Sequence, residues 1–148
     1  MKFTKSTLFL AIGLCAALLS CNGQQNIAKG KIGGFYEISA DGKEYNLINS
    51  TEKFYLDTLS YISYDDFEGV TIEANERGSY DLGFILNNQG AVKFKQMTKR
   101  NLNKQVCIVI QNEVIISAQI INVIENGEIV IDLNDEEEAN ELVDYLTN

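Results

Sequence analysis

The sequence predicts an α+β domain, in which two amphipathic helices pack on an antiparallel sheet made of hairpins and a three-strand meander. Three observations support this fold class. Apolar residues recur at every second position in short runs bounded by turn residues, and β-branched runs dominate residues 105–133. Two further segments repeat apolar residues at helical spacing. Residues 35–148 suffice for one domain of this kind.

The first predicted hairpin lies at the start of this domain. Residues 35–38 alternate as a strand does, and Asp41-Gly42 favours a positive-φ turn that leads to a second strand over residues 44–48. Residues 51–67 mix aromatic and acidic side chains without a clear period. We therefore expect an irregular connector there, with a short helical turn at residues 64–67.

A second hairpin and a helix are predicted next. Apolar residues alternate in 70–74 and again in 82–86, on either side of a turn at residues 76–78. Asn87 or Asn88 can then cap a helix that ends near Asn103. The apolar positions of this helix are Ala91, Phe94, Thr98 and Leu102.

The C-terminal part predicts the meander and the second helix. Residues 105–110, 113–123 and 128–133 are the β-branched runs, joined by Gln111-Asn112 and by Asn126-Gly127. Asn134 is expected to cap the last helix, with Glu137 at the capping-box position. The four consecutive acids at residues 135–138 raise the question of calcium binding, but they lack the spacing of a calcium-binding loop. Acids in the first turn of a helix are explained by their favourable interaction with the helix dipole.

The N-terminal segment has the features of an export signal. Lys2 and Lys5 precede an uncharged run over residues 8–19, which is shorter than the roughly 20 residues needed to span a bilayer. Leu18-Leu19-Ser20-Cys21 resembles the lipobox read by lipoprotein signal peptidase, and this resemblance implies cleavage before Cys21 and acylation of its thiol, palmitate being a typical acyl group. The alternative is an ordinary secretory signal that ends in cysteine. An acylated Cys21 would anchor the chain stably, because more than one acyl chain is attached.

These features predict three regions: a lipoprotein signal peptide over residues 1–20, a flexible tether over 21–34 and a single domain over 35–148. The tether is rich in Asn, Gln, Gly and Lys. The expected location is the bacterial cell envelope, with a lipid anchor in a membrane and the domain in the periplasm.

Composition excludes several functional classes. Only two of the twelve basic residues precede Cys21, so residues 21–148 carry ten bases and 21 acids, a formal charge of −11 that disfavours nucleic-acid binding. Histidine is absent, which excludes Ser-His-Asp and Cys-His catalysis and zinc sites that contain histidine. Cys107 lies in a β-branched run and is expected to be a buried structural thiol. We predict a protein that is not an enzyme and uses no metal or cofactor.

The stretch from residue 82 to 148 resembles the head of the first periplasmic domain of SecD and SecDF, membrane proteins that assist protein export through the Sec channel. The motifs that carry the resemblance are Asn87-Asn88-Gln89-Gly90-Ala91-Val92-Lys93-Phe94, the strand of residues 106–110, and Ile115-Ile116-Ser117-Ala118. The chain departs from the family pattern at Gln119, where proline is usual, and at Gln111-Asn112, where the family favours aspartate-glycine.

The resemblance implies the family's fold and a tendency to contact extended or unfolded polypeptide outside the membrane. The transmembrane helices and charged residues that couple SecD and SecDF to proton flow have no counterpart in this sequence. Proton-driven transport is therefore not implied.

Two groups of side chains are candidate contact sites. The first is a positive strip in and after the first helix, which could face anionic lipid headgroups or an acidic partner; its members are Lys93, Lys95, Lys99, Arg100 and Lys104. The alternative is an ordinary solvated helix face with cations toward its C-terminal end. The second is an aromatic and acidic patch, which suits a recognition surface or a core rim equally; its members are Tyr55, Asp57, Tyr61, Tyr64, Asp65 and Asp66.

The leading functional hypothesis is a non-enzymatic envelope lipoprotein that contacts polypeptide or an envelope protein, as an accessory to protein export or envelope assembly. The alternative hypothesis is a ligand-binding or inhibitor-like lipoprotein unrelated to export. The sequence leaves the oligomeric state open.

Overall fold

The computed structural model describes Leu8–Phe9 and residues 23–148. Cys21 and most of the predicted signal peptide lie outside the described residues. The elements follow in chain order: β1 (Leu8–Phe9), β2 (Gln25–Asn26), β3 (Gly33–Leu47), β4 (Lys53–Ser63), a 3₁₀ turn (Tyr64–Asp66), β5 (Phe67–Ala74), β6 (Tyr80–Leu86), α1 (Asn88–Arg100), β7 (Gln105–Ile110), β8 (Glu113–Gln119), β9 (Glu128–Leu133) and α2 (Glu136–Thr147).

The strands form two sheets. The first has the order β1-β8-β7-β3-β4 and the second the order β2-β5-β6-β9. Most neighbours are antiparallel, whereas β1 and the end of β3 run parallel to β8. The predicted α+β class with antiparallel strands and two packed helices is confirmed.

One apolar core lies between the two sheets and the two helices. Its centre is a cluster of four phenylalanine rings, in which Phe35 lies 5.5 Å from the ring centroids of Phe67, Phe84 and Phe94. These rings come from β3, β5, β6 and α1, and each is at most 6% exposed. The cluster therefore joins both sheets to the first helix.

Strand β3 is long enough to take part in two layers. Its first part pairs with β7 from Gly33 to Glu37, and its last residues pair with the far edge of β8, where Leu47 lies beside Val114. The chain therefore curls over the outer face of the first sheet. A second small core forms beneath the curl; its buried members are Tyr36, Tyr45, Leu56, Cys107, Val109 and Val114.

Several local predictions are confirmed. The second hairpin is β5–β6, and the helical turn at residues 64–67 is the 3₁₀ turn. The first helix is α1, but it ends at Arg100 rather than near Asn103, so Leu102 lies beyond it and is 43% exposed. The side chain of Asn87 accepts a hydrogen bond from the N–H of Gly90 at 2.8 Å, as expected of an N-cap. The last helix starts one residue later than predicted, because Asp135 rather than Asn134 supplies the capping oxygen, to the N–H of Glu138.

The predicted turn at Asp41-Gly42 is wrong. Residues 33–47 form one strand, and the chain reverses after Leu47, which accepts a hydrogen bond from the N–H of Ser50. The connector predicted over residues 51–67 is largely β4. Glycine is needed at position 42 because a Cβ atom there would overlap the backbone of Leu56, so its sequence signal reports a close approach between strands.

The three-strand meander is also corrected. Strands β7 and β8 form a hairpin, but β9 pairs with β6 in the other sheet. Hydrogen bonds hold the connection between β8 and β9 against α1 and the turn that follows it. Ile120 donates to Lys104 and Asn103 donates to Ile120, both in that turn, and the N–H of Ile124 donates to Thr98 Oγ1 on α1. The chain is thereby directed away from the first sheet before β9 begins.

The flexible tether predicted for residues 21–34 is corrected for residues 25–34. Gln25 and Asn26 pair with β5, the N–H of Ala28 donates to the carbonyl of Leu146 at 2.8 Å, and Gly33 and Gly34 already belong to β3. These backbone groups form hydrogen bonds with parts of the chain that are distant in sequence, and composition alone does not predict such bonds. The described residues include no helix that is long and apolar enough to cross a membrane.

Candidate functional site

The β3–β4 hairpin carries a pair of bulges that we call the hairpin bulge, residues 39–42 of β3 and 57–60 of β4. Residues 57–60 lie between the cross-strand pairs Tyr36–Tyr61 and Ile38–Leu56, so four residues oppose one. On the other strand, both Ile38 and Lys43 pair with Leu56, which leaves residues 39–42 looped out. Such bulges re-aim side chains away from the sheet.

The hairpin bulge presents apolar side chains to solvent. Leu59 is 96% exposed, and its N–H donates to the carboxylate of Asp57 at 2.8 Å, which fixes the local turn. Ile38 and Tyr61 flank the bulge and are 42% and 37% exposed. Exposed apolar and aromatic side chains in and next to the bulge make this part of the hairpin a candidate contact surface.

The ring of Tyr61 is supported from beneath. It stacks on Tyr36 with 4.4 Å between ring centroids and 7° between planes, and Tyr36 in turn contacts Tyr45. Burial raises the pKa of Tyr36, and the neighbouring hydroxyls of Tyr61 and Tyr45 raise it further. The aromatic support therefore stays neutral at physiological pH.

The predicted aromatic and acidic patch is divided by the fold. Tyr64 is fully buried, and its hydroxyl donates to the carbonyl of Val109 at 3.1 Å. Asp65 accepts a hydrogen bond from the N–H of Gly30, and Asp66 is 6% exposed. Only Tyr55, Asp57 and Tyr61 are close to the hairpin bulge in sequence and lie at least partly at the surface.

Acids from other elements lie against most of the predicted positive strip. Lys93 pairs with Asp66 at 2.7 Å and Lys95 with Glu125 at 3.0 Å, and Arg100 pairs with Glu37. Lys99 and Lys104 are exposed. The fold therefore joins α1 to the 3₁₀ turn, to the β8–β9 connection and to β3 through its cations, and the strip offers less net positive charge than its sequence suggests.

The Lys93–Asp66 pair predicts a measurable stability effect. Asp66→Asn removes the charge opposite Lys93 and weakens the acceptor for the N–H of Ser63, at a site where Asp66 is buried. We expect the free energy of unfolding to fall by about 2 kcal/mol, measured by urea denaturation.

Glu44→Gln is the matched control for Asp66→Asn, because Glu44 also lies 2.7 Å from a lysine amine but both partners are solvent-exposed. We expect little change for this variant, since exposed ion pairs contribute little. Equal losses in the two variants would contradict the structural role of the buried pair.

Cys107 has the predicted character of a structural thiol. It is 0% exposed, and burial raises the pKa of its thiol to about 12. A thiol with that pKa is protonated at neutral pH and is a poor nucleophile. Among residues 23–148, no group of three or more His, Cys, Asp or Glu side chains is placed to hold a metal ion.

The sequence patterns do not predict that Leu59 is an exposed apolar residue. Its signal was present, because Asp57-Thr58 favours a turn in which the aspartate accepts a hydrogen bond two residues on. Residues 51–67 show no clear period, so this turn could not be placed within a strand from the sequence.

Comparison with protein families identifies the fold. The model of the SecDF P1 head subdomain matches residues 40–148. The chain belongs to the SecDF P1 head family. A comparison with curated proteins gave no match.

Solved structures of SecDF share this fold. One, described as a membrane component SecDF that enhances protein export, is 19% identical with a TM-score of 0.60, and the similarity covers 84% of this chain and 63% of that chain. SecDF in a super-membrane-facing form is 20% identical with the same TM-score, and the similarity covers 84% of this chain but only 19% of that one. The chain thus spans less than two thirds of the length of either solved SecDF chain.

Proposed function

We propose that this chain is a non-enzymatic accessory domain of the cell envelope that contacts polypeptide during protein export. The observation that carries the proposal is the match to the SecDF P1 head subdomain over residues 40–148. A SecDF described as enhancing protein export has the same fold, which supports the link to export. The periplasm is the expected compartment, since the resemblance is to a periplasmic head.

The contact surface in this proposal is the hairpin bulge. A partner that is extended or unfolded exposes apolar side chains, and Leu59 with Ile38 and Tyr61 offers an apolar surface that is already ordered.

The positive strip of α1 is a second proposed contact, for lipid headgroups or acidic segments, through the exposed Lys99 and Lys104.

The proposal includes a lipid anchor at Cys21. Acylation there would keep the domain close to the membrane from which exported chains emerge. Growth with labelled palmitate is expected to label the protein, and Cys21→Ala is expected to abolish that label.

Photo-crosslinking in the native envelope tests the polypeptide contact. A photoreactive amino acid at Leu59 is expected to form adducts with exported polypeptides or with Sec components, because its side chain is 96% exposed on the proposed contact surface. The control position is Glu76, an exposed residue in the β5–β6 turn of the other sheet. Adducts are expected from Leu59 in clear excess over those from Glu76.

The outcome also separates the two functional hypotheses. Adducts with a single protein unrelated to export would favour the ligand-binding or inhibitor-like alternative. Equal adduct yields from Leu59 and Glu76 would contradict the hairpin bulge as the contact surface.

A further inference from the structure

The open edges of the two sheets flank a common groove. Strand β8 would be the last strand of the first sheet on that side without β1, and β9 is the last strand of the second sheet. We call the space beside Ala118 and Gln119 the edge groove. It lies where hydrogen bonds of Ile120 and Ile124 to α1 and to the turn after it lead the chain away from β8 before β9 begins.

An extended segment already occupies the edge groove. Leu8 pairs with Ala118 and Phe9 with Gln119, in parallel, and Cα atoms of this segment also lie within 8 Å of those of β9. Leu8 and Phe9 belong to the apolar run predicted to be an export signal, so they would leave the protein on cleavage before Cys21. The groove would then expose unpaired backbone groups, which readily accept another strand.

The backbone of Gln119 is oriented for this pairing. Ile120 directs its N–H to the carbonyl of Lys104 and its carbonyl to the N–H of Asn103, on the β7 side. Because these directions alternate along a strand, the N–H and C=O of Gln119 point to the open side. An incoming strand can therefore pair with Gln119 without disturbing the β7–β8 hairpin.

The geometry points to the edge groove as a site where an extended apolar segment of an exported polypeptide adds as a parallel strand, after the chain's own leader has been removed. This inference rests on the proposed function and specifies how polypeptide is bound. Addition of a strand to a sheet edge draws affinity from main-chain hydrogen bonds and specificity from alternate side chains.

The surroundings of the groove define the segment that fits. A residue opposite Ala118 shares its face of the sheet, and Ala118 belongs to the apolar core, so an apolar side chain is favoured there. The residue opposite Gln119 faces the other side and can be polar. The formal charge of −11 on residues 21–148 favours segments with basic flanks. Apolar segments next to lysine or arginine, the composition of an export signal, meet both requirements.

A proline test isolates the backbone contact. Gln119→Pro removes the N–H that faces the groove, whereas Gln119→Ala removes only the side chain and is the matched control. Both are made in the full chain, in its native host, with a photoreactive amino acid at Ile121, which is 38% exposed just beyond the groove. We expect adducts with exported polypeptide in the Gln119→Ala variant. In Gln119→Pro we expect a yield roughly tenfold lower, as loss of about 1.4 kcal/mol of hydrogen bonding would give.

The possible results are distinct. Equal yields in the two variants would overturn the added strand while leaving the proposed function intact, and adducts with a second copy of this chain would overturn it in favour of self-association. Folding of Gln119→Pro is checked by the protection of the Cys107 thiol from alkylation. If that variant unfolds, the yield from Ile121 is compared with the yield from Val92, which is 60% exposed on α1: an excess at Ile121 supports the groove, and parity overturns it.

Failure of the proposed function gives a different pattern. In that case neither Leu59 nor Ile121 forms adducts with exported polypeptide. Adducts from Leu59 without adducts from Ile121 would remove only the edge groove.

Discussion

Phe35→Ala is expected to lower the free energy of unfolding by about 4 kcal/mol, the usual cost of replacing a buried phenylalanine with alanine. Phe35 is 1% exposed and contacts Phe67, Phe84 and Phe94, so the substitution leaves a cavity between both sheets and α1. The surrounding elements are held by separate strand pairings and cannot close that space. Urea denaturation followed by circular dichroism measures the change through the transition midpoint.

Val92→Ala is the control for Phe35→Ala, because Val92 is 60% exposed on α1. Its effect is expected to stay within about 0.5 kcal/mol. A loss below about 1 kcal/mol for Phe35→Ala would contradict the central place of the phenylalanine cluster. A similar loss in both variants would contradict the orientation of α1.

Gly34→Ala is expected to lower the free energy of unfolding by at least about 3 kcal/mol, or to prevent folding. The φ angle of Gly34 is +142°, and a Cβ atom there would overlap the carbonyl oxygen of Ile62 on β4. Backbone strain of this kind costs of order 1–3 kcal/mol, and separating β3 from β4 adds to it. Thermal unfolding and the soluble yield of the variant measure the effect.

Gly78→Ala separates the two contributions in Gly34→Ala. Gly78 also has a positive φ angle, +80°, but nothing lies within 4 Å of the Cβ position. Only conformational strain remains, about 1–2 kcal/mol. If Gly34→Ala cost no more than Gly78→Ala, the close approach of β3 to β4 would be wrong.

These two positions also bear on the proposed contact surfaces. Gly34 and Phe35 open the strand whose later residues carry the hairpin bulge, and Phe35 ties that strand to the second sheet. The hairpin bulge therefore lies on a strand that Phe35 anchors in the core. A prearranged apolar surface loses little conformational entropy on binding, which suits repeated contact with unfolded chains.

The solved SecDF chains place this fold within longer proteins, since the similarity covers 63% of one and 19% of the other. The described residues include no helix long and apolar enough to cross a membrane.

Local patterns determined much of this structure. Asn87 specified where α1 begins, and the apolar spacing placed Phe94 and Thr98 on its buried face, because capping and amphipathicity act within a few residues. The β5–β6 hairpin was predicted from apolar residues that alternate on either side of one turn, a pattern that is also local. The family resemblance over residues 82–148 likewise rested on contiguous motifs, and the match over residues 40–148 confirms it.

Only the tertiary structure decided how the strands are shared between the sheets. Asp41-Gly42 has the composition of a turn, yet a close approach to Leu56 makes it part of a bulge. Asn126-Gly127 precedes β9, but β9 pairs with β6, after the preceding residues are held by hydrogen bonds to α1 and to the turn that follows it. Composition predicts a tether over residues 25–34 because the partners of these residues, on β5, β7 and α2, lie far away in sequence. Pairing between distant strands depends on contacts that no short window of sequence contains, and the hairpin bulge and the edge groove both arise from such pairing.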